Sequence, residues 1–470
     1  MKILKRFMSI LVVLAMIMIG LSQLSSLTER KASLLKYKAF YQQQANFDVL
    51  FMGTSHVING IYPMELWNDY GIVSYNFGGH ANPIAISYWQ MVNAFDYTTP
   101  KLVVIDGFAL SEDWKVLKNN KSYAHLSLDS IPFSINKIKA VRDLFEKDDQ
   151  LEFLFEFDIY HNRWKELGQS DFDSYMANEK GAEFRIGVAV PDDFSAIDKN
   201  AKMLADTIGV EYLEKMITYC QERNIAVLLT YLPFPASAES QKEANRMFEI
   251  ARKYDVRYLD FMTLRNLIDF DTDCYDSGSH LNPSGARKIT AYLGQDIMSH
   301  YDIMDQRNNI DYKDWHKSYE IYVQSKIKNI KNQKEIKSYL MLLNDENFSF
   351  CICIPEGSKI LKNEILEKLL KNVGIETDKL SDDEDALIMV DRYSDTVVSS
   401  DFSKHQKTSF GEVAVLDEEN EHGLYLGENL QMRLEDSREV GIVVFSNSDL
   451  RVADTKRFRE SDTDYMVVGD

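Results

Sequence analysis

Cysteine is scarce in this chain of 470 residues, and no Cys-x-x-Cys pair occurs in it. Cys351 and Cys353 stand two apart in FCICI, which places both side chains on one face of a strand and makes a disulfide between them geometrically poor. The histidines are scattered, without the spacing of metal ligands. We therefore predict that all the cysteines, Cys220 and Cys274 included, are packing residues, and we expect neither a metal site nor a cofactor.

Positive charge is in the minority, because 53 Lys and Arg residues stand against 73 Asp and Glu residues and give a net charge of -20. Such a chain is repelled by a phosphate backbone and by an anionic membrane surface. Nucleic acid is therefore not expected as a partner. The apolar content of 45% is that of a folded protein, and the length predicts two domains with an appendage.

Long apolar runs are absent except at the N-terminus, where basic residues precede FMSILVVLAMIMIGL (7–21). A basic flank before an apolar run is the pattern of export signals. No small-x-small cleavage site closes the run, and with residues 22–27 the segment reaches the ~20 residues that cross a bilayer. We predict an uncleaved signal-anchor over residues 1–28, a single pass of the cell membrane, and an extracellular remainder. A cleaved signal peptide is the alternative and predicts the same side.

After a polar helical stalk, apolar strand-like runs alternate with amphipathic helices, which is typical of a parallel sheet covered by helices. We predict an α/β domain over residues 29–305 with a flavodoxin-like, doubly wound sheet of five parallel strands. An aromatic, mostly helical insert at about 111–199 interrupts it; a lid or substrate-binding cap and a plain helical pair are both open. The strands are expected within 48–53, 72–79, 101–108, 225–235 and 256–261.

The pattern changes beyond residue 305. A charged helical connector is predicted over 306–337, and short apolar runs separated by turns follow it, with one helix among them. We therefore predict a smaller β-rich accessory domain over 338–470. Its strands are expected at FSFCICI, DALIMV, GEVAVL, HGLYL, NLQMRLE and VGIVVFS.

Three polar loops follow strands of the predicted sheet, at the edge where open parallel sheets bind ligands. They are residues 53–56, 76–82 and 271–285. Together they offer a serine, histidines and aspartates, the parts of acyl-transfer catalysis. In such a site the histidine takes the serine proton and the carboxylate orients the imidazole. Backbone N–H groups at a glycine turn stabilise the oxyanion, by ~3 kcal/mol per donor.

The stretches FMGTSHVINGIYP and DSGSHLNPSGA together resemble the SGNH (GDSL-like) hydrolase superfamily. More closely, they look like its membrane-anchored branch, found with cell-surface polysaccharide and teichoic-acid O-acylation machinery. The resemblance covers about residues 46–300. It implies Ser55 as the nucleophile, His280 as the base and Asp276 as the acid.

The resemblance also implies an oxyanion hole formed by the backbone N–H groups of Ser55 and of Gly78 or Gly79. The asparagine that the family carries after strand three is missing, and Asp106 stands there instead. Asn82 or the Gly79 backbone is the candidate replacement.

Two further departures from the family pattern concern the nucleophile and the acid. Thr54 replaces the aspartate of Gly-Asp-Ser, a change seen in acyltransferase-like branches. The acid and base normally follow Asp-x-x-His, whereas one more residue separates Asp276 from His280. Asp273 therefore stays a second candidate for the acid.

Four residues are candidates for binding substrate. His80 lies in the second loop, and His161, Arg163 and Trp164 of the insert resemble a YHxRW element of related membrane-anchored sequences. Packing within the insert is the alternative for these three. The C-terminal domain weakly resembles interleukin-like inducer domains, which are lectin-like, and this implies a carbohydrate-contacting or docking role. A generic accessory domain is the alternative there.

The resemblance implies an enzyme that passes an acyl group, with acetyl as the first choice, through an acyl-serine to or from a cell-surface polysaccharide. A membrane-bound O-acyltransferase is the expected donor partner, and the N-terminal helix is the expected membrane contact. A carbohydrate esterase would use the same triad with water as acceptor. A non-catalytic glycan-binding scaffold is the third hypothesis.

Overall fold

The chain divides by its internal contacts into two compact units. A computed structural model describes residues 2–29, 32–43, 46–113, 121–172, 175–191, 198–203, 205–233, 237–277, 280–381, 383–418, 421–435, 438–461 and 464–468. The first unit comprises Met1–Glu183, Phe194–Arg265 and Ile289–Ser318, and the second comprises Phe184–Asp193, Asn266–Lys288 and Tyr319–Asp470. The segment with the candidate acid and base thus groups with the C-terminal residues, whereas the sequence-based boundary at 305 placed it in the first domain.

A five-stranded parallel sheet forms the centre of the first unit. Its strands are β1 (Val49–Met52), β2 (Ser74–Asn76), β3 (Leu102–Asp106), β4 (Ala226–Tyr231) and β5 (Arg257–Asp260). They lie in the order β2-β1-β3-β4-β5, which is the flavodoxin-like order, and every neighbouring pair is parallel. The predicted five-stranded parallel sheet is confirmed, and each strand falls inside the stretch predicted for it.

Helices connect these strands. In chain order they are α1 (Lys2–Thr28), α2 (Ala32–Gln42), α3 (Ser55–Gly60), α4 (Pro63–Tyr70), α5 (Ile84–Ala94), α6 (Lys121–Leu128), α7 (Ile135–Leu144), α8 (Gln150–Leu154), α9 (Phe157–Tyr160), α10 (Tyr175–Asn178), α11 (Ile208–Gln221) and α12 (Ala238–Tyr254). Helices α6 to α10 belong to the predicted insert. Ser237 caps α12 by accepting a hydrogen bond from the Ser240 N–H at 3.1 Å.

The N-terminal helix α1 is long and apolar enough to span a membrane. Its apolar stretch Arg6–Ser25 has 20 residues and a mean hydropathy of 2.3. At 1.5 Å per residue this length matches the ~30 Å hydrocarbon core of a bilayer. Length and composition therefore allow a span.

The second unit is β-rich, as predicted. The helices of the whole chain that have not yet been named are α13 (Phe270–Asp273), α14 (Pro283–His300), α15 (Lys313–Asn332), α16 (Ile336–Leu343) and α17 (Glu364–Asn372). Of these, α14 and α15 belong partly to the first unit. The strands are β6 (Phe348–Ile354), β7 (Ala386–Asp391), β8 (Thr396–Ser400), β9 (Gln406–Thr408), β10 (Gly411–Glu418), β11 (Glu421–Leu426), β12 (Asn429–Leu434), β13 (Glu439–Ser446), β14 (Arg451–Glu460) and β15 (Tyr465–Val467). They form antiparallel sheets of six strands (β15-β14-β13-β6-β7-β8) and four strands (β12-β11-β10-β9).

The central strand β6 is buried on both faces. Phe350 and Ile352 join a core with residues of α16 and α17, while Cys351 and Cys353 join a second core with Leu424 of β11 and other strand residues. The shared face predicted for these two cysteines is confirmed. All four cysteines are buried and free, as expected of packing residues.

Candidate active site

The first candidate loop presents Ser55 at the end of a buried strand. Gly53 and Thr54 link β1 to α3, and Ser55 is the first residue of that helix. The Thr54 hydroxyl caps α3 by accepting a hydrogen bond from the His56 N–H at 3.4 Å. Within residues 47–67, all of which the structure describes, Ser55 is the one residue that is not buried. This local arrangement exposes a serine on an otherwise covered segment.

Close packing at Gly53 fixes the start of this loop. A Cβ atom there would lie 2.5 Å from Cγ2 of Val57 and 3.1 Å from Cβ of Asp106, so only glycine fits. Asp106 is buried at the end of β3, and its carboxylate accepts hydrogen bonds from the N–H of Leu232 at 2.9 Å and the hydroxyl of Thr230 at 3.2 Å. Burial raises the pKa of Asp106 to about 7. Asp106 thus joins the ends of β3 and β4.

Asn76, the last residue of β2, ties the second loop to helix α3. Its side-chain amide donates to the carbonyl oxygens of Val57 at 2.7 Å and Ile61 at 2.9 Å, and its Oδ1 accepts the Gly78 N–H at 2.9 Å. The Gly79 N–H donates to the Gly53 carbonyl at 3.0 Å. Asn76 was not among the predicted site residues, although an asparagine two residues before a glycine is a recognisable signal of the bond from the Gly78 N–H to Asn76 Oδ1.

Hydrogen bonds within the second loop engage the residues of the predicted oxyanion hole. The Gly78 N–H donates to Asn76 Oδ1, and the Gly79 N–H donates to the Gly53 carbonyl. Asn82 is buried, and its amide nitrogen donates to Ser87 Oγ at 3.0 Å and to Gln90 Oε1 at 2.9 Å. The oxyanion hole of Ser55, Gly78, Gly79 and Asn82 stays a prediction.

Two buried side chains of α2 hold the second loop in place. The Lys36 ammonium donates to the carbonyls of Asn76 at 3.3 Å, Gly78 at 2.5 Å and Gly181 at 3.0 Å. The Tyr37 hydroxyl also donates to the Gly78 carbonyl, at 2.9 Å. Burial lowers the pKa of Lys36 to about 7, and nearby Glu183 opposes the shift. A lysine in a polar helical stretch gives no sequence signal for this role.

The candidate substrate residue His80 follows this loop and pairs with Glu183. Its Nε2 lies 3.5 Å from Glu183 Oε2, and both side chains are partly exposed. Asn59 of α3 donates to the same carboxylate oxygen at 3.4 Å. His80 is therefore held beside α3, and its binding of substrate remains a prediction.

In the second unit, Asp276 and His280 form a hydrogen-bonded pair. Nδ1 of His280 lies 2.7 Å from Oδ2 of Asp276, and the His280 backbone N–H donates to Asp276 Oδ1 at 3.0 Å. The loop is closed by the Tyr275 N–H, which donates to the His280 carbonyl at 2.8 Å, and by the bridge between Cys274 and Leu281. This contact favours the tautomer with the proton on Nδ1, which leaves Nε2 as a base.

The side chain of the other candidate acid, Asp273, contacts Lys288 and Ser284. It is buried, forms an ion pair with Lys288 at 2.6 Å and accepts the Ser284 hydroxyl at 2.7 Å. Asp276 contacts His280. This contact favours Asp276 over Asp273, and the identity of the acid stays a prediction.

Asn282, directly after this loop, was missed in the sequence. Its Oδ1 accepts the N–H groups of Ser284 at 3.1 Å and Gly285 at 3.2 Å, which caps α14. Its amide donates to the carbonyl of Thr272 at 2.8 Å. The Asn-Pro pair at a helix start is a signal that could have identified this cap.

The β-rich part of the chain supports the His280 loop within the second unit. Asn372 of α17 donates to the Thr272 hydroxyl at 2.8 Å, and Lys368 of the same helix pairs with Asp271. Asn344, after α16, donates to Ser284 Oγ at 2.9 Å. These bonds give the C-terminal region a positioning role that its predicted description as an accessory domain did not include.

The three insert candidates lie near the end of the N-terminal helix. Nη1 of Arg163 donates to the Thr28 carbonyl at 2.7 Å, and the Arg163 guanidinium pairs with Asp171. His161 Nε2 lies 2.9 Å from the amide nitrogen of Asn162, and the Trp164 side chain is exposed. Their described contacts are structural, so the substrate-binding role remains a prediction.

Among the described residues, no group of three or more His, Cys, Asp or Glu side chains could hold a metal ion.

A solved structure of a protein from Desulfitobacterium hafniense DCB-2, assigned to the G-D-S-L family of lipolytic proteins, is similar to this chain. The match covers 53% of this chain and 99% of the other chain, with 14% identity and a TM-score of 0.28. At that TM-score the likeness carries no weight for fold or function. No family model matches the chain, and no curated protein matches its sequence.

Proposed function

We propose that the chain is a membrane-tethered, serine-dependent O-acyltransferase of the SGNH type that acts on a cell-surface polysaccharide. The observation that carries the proposal is the Asp276–His280 pair, whose 2.7 Å contact at Nδ1 orients the imidazole as in serine hydrolases. The exposure of Ser55 at the end of β1 supports its role as the nucleophile. The apolar helix α1 supports the tether, with the rest of the chain outside the cell.

The proposed reaction passes through an acyl-serine. Ser55 Oγ attacks the carbonyl carbon of the acyl donor while His280 Nε2 takes the hydroxyl proton, and the Ser55 N–H stabilises the oxyanion. The carbon–oxygen bond to the leaving group then breaks, and the leaving group takes the proton from His280. Asp276 stabilises the imidazolium in both steps.

A sugar hydroxyl completes the cycle. It gives its proton to His280 while its oxygen attacks the carbonyl carbon of the acyl-serine. The bond between that carbon and Ser55 Oγ then breaks, Ser55 Oγ takes the proton from His280, and the sugar ester is released. The proposed donor is a membrane-bound O-acyltransferase, the proposed acyl group is acetyl, and the proposed role of the C-terminal region is to contact the polysaccharide. Water in place of the sugar hydroxyl would make the same machinery an esterase.

Fluorophosphonate labelling of the full chain in membranes tests the nucleophile. We expect a covalent adduct on Ser55 in the wild type and none in Ser55→Ala. Ser134→Ala is the matched control, because Ser134 also starts a helix and is also partly exposed. It should label like the wild type. Equal labelling of Ser55→Ala and wild type would overturn the nucleophile, and no labelling of any variant would favour the non-catalytic scaffold.

Acceptor use separates the transferase from the esterase. Cells that carry the wild-type chain should contain alkali-releasable acyl groups on their surface polysaccharide, and cells that carry Ser55→Ala should lack them. An increase of these groups in the Ser55→Ala cells would instead identify an esterase that removes them. An unchanged acyl content would contradict both reactions.

A further inference from the structure

The N-terminal helix changes from exposed to buried near its C-terminal end. The described apolar side chains from Phe7 to Leu24 are exposed, and so is Leu27, whereas Ser25, Thr28 and Glu29 are buried on one side of the helix end. The first unit therefore begins to cover α1 where the apolar stretch Arg6–Ser25 ends. If α1 spans a bilayer, the surface of the unit around Thr28 lies next to that bilayer.

The insert makes the contact at this end of the helix. Helix α9 packs against α1, and Arg163 donates to the Thr28 carbonyl at 2.7 Å. Thr28 lies three residues after Ser25, which is about 4–5 Å along a helix axis. The headgroup layer on each side of the hydrocarbon core is about 5–8 Å thick. If α1 spans a bilayer, Arg163 therefore lies at the depth of the headgroups.

Four exposed apolar side chains lie before and after Arg163 in the sequence, and we name them the insert patch. They are Phe155 (46% exposed), Ile159 (40%), Trp164 (65%) and Phe172 (55%). Ile159 belongs to α9, Trp164 follows Arg163, and Phe172 follows the ion-pair partner of Arg163. Single exposed apolar residues are ordinary, but four of them within residues 155–172, the segment that contacts the end of α1 through α9 and Arg163, need a covering phase.

We propose that the insert patch dips into the headgroup region of the phospholipid bilayer, so that the insert is a second membrane contact beside α1. Aromatic side chains, tryptophan above all, are enriched at this depth because they have an apolar body and a polar edge. The ammonium of Lys165 lies 5.5 Å from the centre of the Trp164 ring, where it can meet lipid phosphates. Two contacts instead of one would fix the height of the first unit above the membrane.

This inference rests on the proposed membrane span of α1, and the test separates the two. The full chain is reconstituted in phosphatidylcholine vesicles, either ordinary or brominated near the headgroup end of the acyl chains, and tryptophan fluorescence is compared. We expect bromine quenching in the wild type and a loss of most of that quenching in Trp164→Phe. Adding Phe172→Trp to the Trp164→Phe chain should restore the quenching, because it returns an indole to the insert patch.

Trp89→Phe is the matched control, since the Trp89 indole donates to Asp143 at 2.7 Å inside the first unit. It should keep wild-type quenching. Equal quenching in the wild type and Trp164→Phe, or the same loss in both single variants, would overturn the insert patch as a lipid contact while leaving the span in place. A chain released from the vesicles by alkaline carbonate would overturn the span itself, and the insert patch with it.

Discussion

The loop that carries Ser55 and the loop that carries Asp276 and His280 are held by different kinds of contact. The Ser55 loop depends on residues far away in the chain, because the Gly79 N–H of the second loop donates to the Gly53 carbonyl. The second loop is held in turn by Lys36, which reaches the carbonyl of Gly78, 42 residues on, and that of Gly181, 145 residues on. Most of the groups that hold it are backbone carbonyls and N–H groups. The loop is therefore a product of the whole first unit.

The His280 loop is mostly local. Asp276 and His280 are four residues apart, and the hydrogen bond between Tyr275 and His280 closes the chain around them. Their relation needs no distant partner, although α17 supports the loop from outside through Thr272. The comparison teaches that contacts with the second loop hold the segment around Ser55, whereas the Asp276 carboxylate orients the His280 imidazole.

The two candidate acids, Asp276 and Asp273, are expected to respond differently to replacement by asparagine, and Asp276→Asn has the largest expected effect on the labelling rate. Asp276→Asn removes the carboxylate that orients the imidazole, and we expect the fluorophosphonate labelling rate to fall by about 10³-fold or more at an unchanged unfolding temperature. Asp273→Asn breaks a buried ion pair with Lys288, and we expect a loss of about 3 kcal/mol in stability with labelling of the folded fraction retained. Labelling rates and thermal unfolding in detergent measure both. The opposite pattern would make Asp273 the acid.

Gly78→Ala tests the contacts that hold the Ser55 loop, and it should have the second-largest effect on the labelling rate. A Cβ at Gly78 would lie 2.7 Å from the Ile58 nitrogen and 2.8 Å from the Thr54 carbonyl oxygen, both backbone atoms that cannot give way alone. The start of α3 must then shift, and we expect the labelling rate of Ser55 to fall by about 10²-fold. Gly168→Ala is the control, because a Cβ there meets nothing within 4 Å. Normal labelling of Gly78→Ala would contradict the tight packing of this loop.

The same contrast explains what the sequence could predict. The buried strand β1 could be predicted from its apolar run, and the short polar spacing before His280 could be predicted to contain its acid partner. The contacts of the Lys36 ammonium and the Asn76 amide could not be predicted, since their acceptors are backbone carbonyls, which every residue has. The sequence also could not separate Asp276 from Asp273 until the closed loop showed which carboxylate contacts the imidazole.

The fold shows a similar limit in strands that lack an apolar run. Strands β8, β9, β14 and β15 were not predicted, because their residues are largely polar or exposed and lack an apolar run. Strands β6 and β13 are buried at every position and were predicted from their apolar letters. The insert was predicted as helical from its composition, but its contact with the end of α1 depends on Arg163, whose acceptor is a backbone carbonyl.

Lys36→Met should have the third-largest effect on the labelling rate of Ser55. It removes the charged donor to three carbonyls, so we expect a roughly tenfold slower labelling of Ser55. The native pKa of Lys36 is about 7, below the ordinary 10.5, so between these values the unfolded chain holds a proton that the native chain lacks. Wild-type stability should therefore rise with pH across this window, and Lys36→Met should reduce that slope.

Unfolding temperatures at about pH 7 and about pH 9 measure this slope. Lys139→Met is the control, because Lys139 is an exposed lysine of α7. It should change neither the labelling rate nor the slope. Wild-type labelling by Lys36→Met would show that the Gly78 carbonyl does not need its ammonium donor.

Tyr37→Phe should have the smallest effect, because it removes one of two donors to the same oxygen. The Tyr37 hydroxyl donates to the Gly78 carbonyl at 2.9 Å, and Lys36 still holds that carbonyl in the variant. We expect a loss of about 1 kcal/mol in stability, the usual net value of a neutral hydrogen bond, and a labelling rate within about threefold of the wild type. Denaturant unfolding and labelling kinetics measure the two. A labelling loss as large as that of Lys36→Met would mean that the hydroxyl, and not the ammonium, orients the peptide between Gly78 and Gly79.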